Sequence, residues 1–119
     1  MPKVLIVEDA DVLLEAWVLK FESQGFEVLT ASNKNKAIEA AVSNHPDLVV
    51  VDLPQGESRE TVKKLREFKW GNRVPVLFLN SFQDPELFTQ YSQGIDDHLA
   101  YNWSLREVVE KAKQKLAVV

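Results

Sequence analysis

A doubly wound α/β fold, with five parallel strands and helices on both faces, is what this sequence predicts. Three observations carry the prediction. Short runs of consecutive apolar residues recur as VLIV at Val4–Val7, LVVV at Leu48–Val51 and VLFL at Val76–Leu79, the signature of strands covered on both faces. Segments with helical spacing separate them, so strand and helix alternate. Polar residues follow the strands directly: Glu8 and Asp9 after the first, Asp52 after the third, Asn80 and Ser81 after the fourth. That is the carboxyl edge, where sheets of this kind gather functional groups.

The elements follow in order. After the first strand, Val12, Leu13, Ala16, Trp17 and Phe21 make a helical stripe, and Gly25 is its natural stop. Glu27–Thr30 (EVLT) reads as an edge-like second strand. The second helix turns Ala37, Ile38, Ala41 and Val42 toward the sheet, and Val62, Leu65 and Phe68 set the inward face of the third. Trp70, at the end of that helix, is expected as a cover over the core. Asp84-Pro85 should open the fourth helix, an N-cap followed by proline at the first helical position. His98–Tyr101 (HLAY) is the fifth strand. Ser104 to Glu107 is a capping box that starts a last helix carrying Val108, Val109, Ala112 and Leu116.

Length and composition restrict the function. The 119 residues read as one domain over 1–119, 45% hydrophobic and 27% charged, without repeat, linker or low-complexity tract. That is compatible with a stand-alone domain or one cut from a longer protein carrying an effector. A net charge of -4 gives no basic footprint for nucleic acid. The absence of cysteine excludes disulfides and thiolate metal sites. No run reaches membrane-spanning length, so a cytoplasmic domain is expected.

If the strand order is 2-1-3-4-5, the first and third strands are neighbours and Glu8, Asp9 and Asp52 converge. Like charges so placed repel unless one protonates or a cation joins them. A hard divalent ion with oxygen ligands fits, and Mg²⁺ suits two or three carboxylates plus water. A carboxylate beside it can act as nucleophile toward phosphorus, with the metal neutralising phosphoryl charge. The plainer alternative has the acids complement the first helix dipole, and Asp11 fits that better. Competing chemistry finds no support: there is no GxGxxG, GxxxxGK[ST] or GxSxG pattern. His45 reads as a loop residue and His98 as a packing or hydrogen-bonding one.

KVLIVEDA at the start, HPDLVVVDLP in the middle, VPVLFLNS on the fourth strand and GIDDHLAYNWSLREV near the end, in this order and spacing, resemble the receiver domain of bacterial response regulators over the whole chain. The resemblance implies a flavodoxin-like (βα)₅ fold. It implies a phosphoacceptor, not an enzyme, that takes phosphate on aspartate from a histidine kinase or phosphotransfer protein using Mg²⁺. Asp52 matches the phosphoacceptor, Glu8 and Asp9 the metal-positioning acids, and Pro54 the residue whose carbonyl reaches the metal. The face formed by the fourth helix, fifth strand and fifth helix is the expected surface for a downstream partner or a homodimer.

Three features depart from the family: residue 80, the pair 101-102 and the loop after Asp52. Asn80 stands where a Thr or Ser usually contacts the phosphoryl group. Ser81 is next to it, but adjacent strand residues point to opposite faces. Tyr101-Asn102 replaces a Lys-Pro pair, so the switch loses its cation; a phenol brings no positive charge at neutral pH. His98 occupies the aromatic switch position, and the loop after Asp52 is short, with Pro54 and Gly56 arriving early. Trp103 is expected beside the site. Two readings follow: a phosphoaccepting receiver with an altered switch, or the same fold used as a phosphorylation-independent interaction module. Small-molecule turnover is a distant third.

Overall fold

In the computed structural model, which describes residues 1–54 and 56–117, strand β1 (Lys3–Glu8) is an interior strand of the sheet. It pairs with β2 (Glu27–Ala31) on one side and β3 (Leu48–Asp52) on the other. Strands β4 (Val76–Leu79) and β5 (Asp97–Leu99) complete a sheet that is parallel, as the alternation predicts, and has the expected order 2-1-3-4-5.

Period-two alternation divides the core in two. Leu5, Val7, Val49, Val51, Val76 and Phe78 face helices α2 (Lys34–Asn44) and α3 (Glu57–Arg66), meeting Ala37, Ala41, Val62 and Leu65. Val4, Ile6, Leu48, Val50, Leu77 and Leu79 face the other way, onto Trp17 and Phe21 of α1 (Asp11–Ser23) and Val108, Val109 and Ala112 of α4 (Leu105–Leu116). Alternate residues of one strand thus serve opposite layers, which is why the apolar runs are unbroken.

Local chemistry sets the helix ends. Gly25, at φ 89°, closes α1: its N–H donates to Glu22 O, and the Phe26 N–H donates to Phe21 O. The Phe21 and Phe26 rings, 5.3 Å apart, supply the apolar contact of this Schellman closure. Asn33 caps α2 by accepting from the Lys36 N–H, and Ser104 caps α4 by accepting from the Glu107 N–H. Gly71 is needed for space, since a Cβ there would lie 2.2 Å from the Leu65 carbonyl oxygen.

Several expectations are corrected. The segment opened by Asp84-Pro85 is not an α-helix but a 3₁₀ segment, Pro85–Gln90, preceded by a 3₁₀ turn at Ser81–Gln83. Asp84 does cap it, accepting from the Glu86 N–H. Leu87 is its only buried residue, too little apolar anchorage for a full helix. Phe88 and Tyr91, three apart and so on one side of a 3₁₀ turn, both close edge-on over His98. Strand β5 ends at Leu99 rather than Tyr101, because Asn102 turns the backbone at φ 55°. Val12 is 84% exposed and Val42 is 42% exposed, outside the inward stripes expected of them. Helix α3 stops at Arg66, so Phe68 falls beyond it and stacks on Trp70. Trp70, in a 3₁₀ turn (Trp70–Arg73), packs against the core as expected and also stacks on His45 at 4.7 Å. His45 is therefore more than a loop residue: it ends α2 in a left-handed conformation beneath that indole.

A buried polar knot holds the far side of the sheet. Asp96 accepts from the Arg66 guanidinium at 2.6 Å, the Val76 N–H at 2.9 Å and the Ser92 N–H at 2.8 Å. Its carbonyl accepts from the Tyr91 hydroxyl and Lys115 Nζ. The 92–96 turn that this knot requires takes up chain that could otherwise have extended the preceding segment as a helix.

Candidate functional site

Parallel pairing puts Glu8 opposite Asp52 at the carboxyl ends of β1 and β3. Glu8 is 2% exposed, whereas Asp9 is exposed and Asp52 half-buried. One Glu8 oxygen, Oε2, accepts from the Ala10 N–H at 3.2 Å; the other, Oε1, is buried without a hydrogen-bond partner among the described residues. Burial first, and then the Asp52 carboxyl beside it, push Glu8 up from 4.5 to about 8, Asp9 adding to the rise and the Ala10 N–H opposing it. No Lys, Arg or His among the described residues forms an ion pair with Glu8, Asp9 or Asp52.

The orphaned Oε1 and the uncompensated carboxyls are what a hard cation would satisfy. The donor set, carboxylate and carbonyl oxygen, fits Mg²⁺. The ligands do not yet stand in a finished cage: among the described residues no three acidic side chains converge with metal-binding geometry. The Pro54 carbonyl already accepts from the Glu57 N–H at 3.0 Å, which leaves one lone pair free. The short loop is closed by Ser58, whose hydroxyl accepts from the Leu53 N–H at 2.9 Å and lies 3.3 Å from the Leu53 carbonyl.

On the other flank, β4 ends at Asn80, whose φ of 57° is tolerated by asparagine. Its Nδ2 donates to Asp52 Oδ1 at 3.0 Å, and its Oδ1 accepts from Trp103 Nε1 at 3.0 Å. Ser81 turns elsewhere, its hydroxyl 2.9 Å from His98 Nδ1, so the two neighbouring residues do serve different partners. His98 is half-buried, with Phe88 and Tyr91 edge-on at 5.1 and 5.7 Å. Tyr101 is 64% exposed, packs its edge on Phe82, and makes no hydrogen bond within the described residues.

The structure therefore brings Glu8, Asp52, Asn80 and Trp103 together and places Asp9 and Pro54 at the same edge. It sets Tyr101 apart on the surface. The Trp103–Asn80 bond could not be read from the sequence, whose only signal was that Trp103 follows the fifth strand at the functional edge.

Fold and acidic edge define the class, a doubly wound α/β domain with its functional groups at the β1–β3 tips. The family model described as response regulator receiver domain matches residues 4–113. The chain belongs to that family and is a receiver domain of two-component signal transduction. It is 32% identical over 115 residues to the alkaline phosphatase synthesis transcriptional regulatory protein PhoP of Bacillus subtilis, covering 93% of this chain and 47% of that protein. It is 30% identical over 117 residues to the transcriptional regulatory protein SrrA of Staphylococcus aureus, covering 96% and 47%. The chain thus spans about half the length of the curated relatives it matches.

Among solved structures, the chemotaxis protein CheY4 of Vibrio cholerae matches with a TM-score of 0.82 at 23% identity, covering 96% of this chain and 98% of that one. The receiver domain of a sensor histidine kinase from Pseudomonas aeruginosa, with a magnesium ion coordinated in its active site cleft, matches at 0.83 and 21% identity, covering 98% of each chain. At these identities the likeness speaks for the fold alone. No helix among the described residues is long and apolar enough to cross a membrane.

Proposed function

We propose that this receiver domain accepts phosphate on Asp52 from a histidine kinase or phosphotransfer protein, in the cytoplasm, with Mg²⁺ held by Asp9, Asp52 and the Pro54 carbonyl and assisted by Glu8. The observation that carries this is the buried, unpartnered Glu8 Oε1 in register with Asp52, an arrangement that only a proton on Glu8 or a bound cation compensates. In the transfer, an Asp52 carboxylate oxygen attacks phosphorus, the P–N bond of the donor phosphohistidine breaks with its electrons leaving on the imidazole nitrogen, and that nitrogen takes up a proton. Bound Mg²⁺ supplies charge neutralisation at the phosphoryl oxygens. Asn80 holds the Asp52 carboxylate by one N–H and offers its second N–H to a new oxygen acceptor.

Any signal is read by a protein partner, or a second copy, on the surface formed by Pro85–Gln90, β5 and α4, where Phe82, Phe88 and Tyr101 are exposed. By analogy with the transcriptional regulatory proteins it resembles, transcription is the kind of process that would be controlled. Incubation with Mg²⁺ and a small phosphodonor such as acetyl phosphate should add one phosphate to the mass of the protein. Asp52→Asn should abolish the gain, and no gain in the wild type at saturating donor and Mg²⁺ refutes the proposal.

One observation favours a second reading, a phosphorylation-independent interaction module. Asp52 Oδ1 is already engaged by Asn80, and no side-chain cation faces it among the described residues. On that reading Asp52→Ala leaves partner binding unchanged.

A further inference from the structure

A hydrogen-bond chain runs from Asp52 through Asn80 to Trp103, and its chemistry fixes its direction. An indole N–H can only donate, and an ionised carboxylate can only accept. The Asn80 amide between them must therefore turn its oxygen to Trp103 and its nitrogen to Asp52, as both 3.0 Å contacts have it. Without the indole N–H the carboxylate would still draw the amide nitrogen, but only water would hold the amide oxygen, and the group would be freer to turn. The Trp103 ring is itself held, lying 5.3 Å from the fully buried ring of Trp17 in α1 at an interplanar angle of 32°. Trp103 also sits just before the Ser104 cap of α4. The chain of contacts thus joins Asp52 to the α1–α4 layer, on the opposite side of the sheet from α2 and α3.

We propose that Trp103 is a positioning residue for Asp52: its N–H orients the Asn80 amide so that NH₂ faces the carboxylate, and through this bond the state of Asp52 is felt at the Trp17–Trp103 stack. The role in phosphate chemistry rests on the reading of Asp52 as phosphoacceptor, but the positioning itself does not.

Heteronuclear NMR of the whole chain tests the two separately. In ligand-free wild type, the Trp103 indole N–H should exchange with water more slowly than a free indole, and Asp52→Ala should move both that signal and the Asn80 side-chain amide signals. Indole exchange at the free rate, or an indole signal that responds to Asn80→Ala but not to Asp52→Ala, overturns the positioning role. The wild-type exchange measurement needs no variant, so a substitution that failed to fold would not remove the test. In the second arm, Mg²⁺ and then beryllofluoride, a mimic of the phosphoryl group, are titrated. Trp103→Phe, which keeps a ring against Trp17, should weaken beryllofluoride binding about three- to tenfold, the loss expected for one neutral hydrogen bond, and Mg²⁺ binding by less. Trp17→Phe, which keeps the Trp103 N–H, should weaken neither. Equal loss of Mg²⁺ and beryllofluoride in Trp103→Phe, or no loss of either, counts against positioning. Failure of the wild type to bind beryllofluoride would instead sink the phosphoacceptor reading, with positioning still decided by the ligand-free arm.

Discussion

Replacing Glu8 by Gln should stabilise the metal-free protein, and by more at alkaline than at acidic pH. The buried carboxyl titrates near 8 in the folded chain against 4.5 unfolded. Between these values the folded state keeps a proton that the unfolded state releases. Stability of the wild type therefore falls as pH rises through this window and levels off above it. Each tenfold change in proton affinity is worth about 1.4 kcal/mol, so the rise to about 8 sets a ceiling of about 5 kcal/mol on the effect. Water entering at the strand tip reduces that figure, and we expect about 2–4 kcal/mol near pH 8.5 and less near pH 6. Gln keeps the shape and, like the protonated acid, can donate toward Asp52.

The assay is urea unfolding in the presence of a chelator at the two pH values, comparing midpoints at constant slope. Saturating Mg²⁺ should then reverse the order, because the wild type gains the free energy of binding an ion that the amide holds less well. A wild type whose metal-free stability does not change between these pH values would refute the reasoning. So would a Gln variant that is the less stable protein at pH 8.5.

Other perturbations have equally direct outcomes. Asp96→Ala leaves the mostly buried Arg66 guanidinium and two backbone N–H groups without their acceptor, and should cost about 3–5 kcal/mol in urea unfolding at neutral pH. Gly71→Ala forces a Cβ to within 2.2 Å of the Leu65 carbonyl oxygen and should cost about 1–3 kcal/mol, read as a lowered midpoint in thermal melts. Tyr101→Lys exchanges an exposed phenol that makes no hydrogen bond among the described residues for a cation on a flexible stem. Calorimetry should show beryllofluoride binding tightened several-fold with stability unchanged; unaltered affinity would mean that the position no longer reaches the site.

The core and the alternation of strands and helices were legible because both signals are periodic. An unbroken apolar run such as LVVV at Leu48–Val51 can serve two helical layers only if the strand is covered on both faces, and Leu48 and Val49 do go to opposite layers. The acidic edge was legible because register alone sets Glu8 opposite Asp52. The misses lie where tertiary contacts outweigh local pattern. Asp84-Pro85 is a sound start signal, but with one buried residue behind it only a 3₁₀ segment follows. Val12 looked like part of an apolar stripe, yet the helix begins at Asp11 and turns that side outward. Asn80 could be identified as an exception, but its two partners could not, because the distance from Asn80 to Trp103 depends on how β5 ends and on the turn at Asn102.

These positions together bear on how strongly the domain can switch. No basic side chain among the described residues forms an ion pair with Glu8, Asp9 or Asp52: Arg59 pairs instead with Asp84 at 3.0 Å and Glu86 at 3.2 Å, and Lys111 with Asp97 at 3.3 Å. The groups that do meet Asp52 from β4 and the approach to α4 are an amide and, behind it, an indole, both neutral. A hydrogen bond to an ionised partner is about twice as strong as a neutral one. Moving an equilibrium from 1:99 to 99:1 takes about 5.5 kcal/mol of differential binding. One carboxylate-to-amide contact supplies about 1.5–3 kcal/mol at most, a bias on the order of ten- to a hundredfold. A receiver built on Asn80 and Trp103 should therefore respond by a graded shift of population, with the acidic pair and the cation proposed to join it, rather than a lysine, carrying most of the electrostatic change.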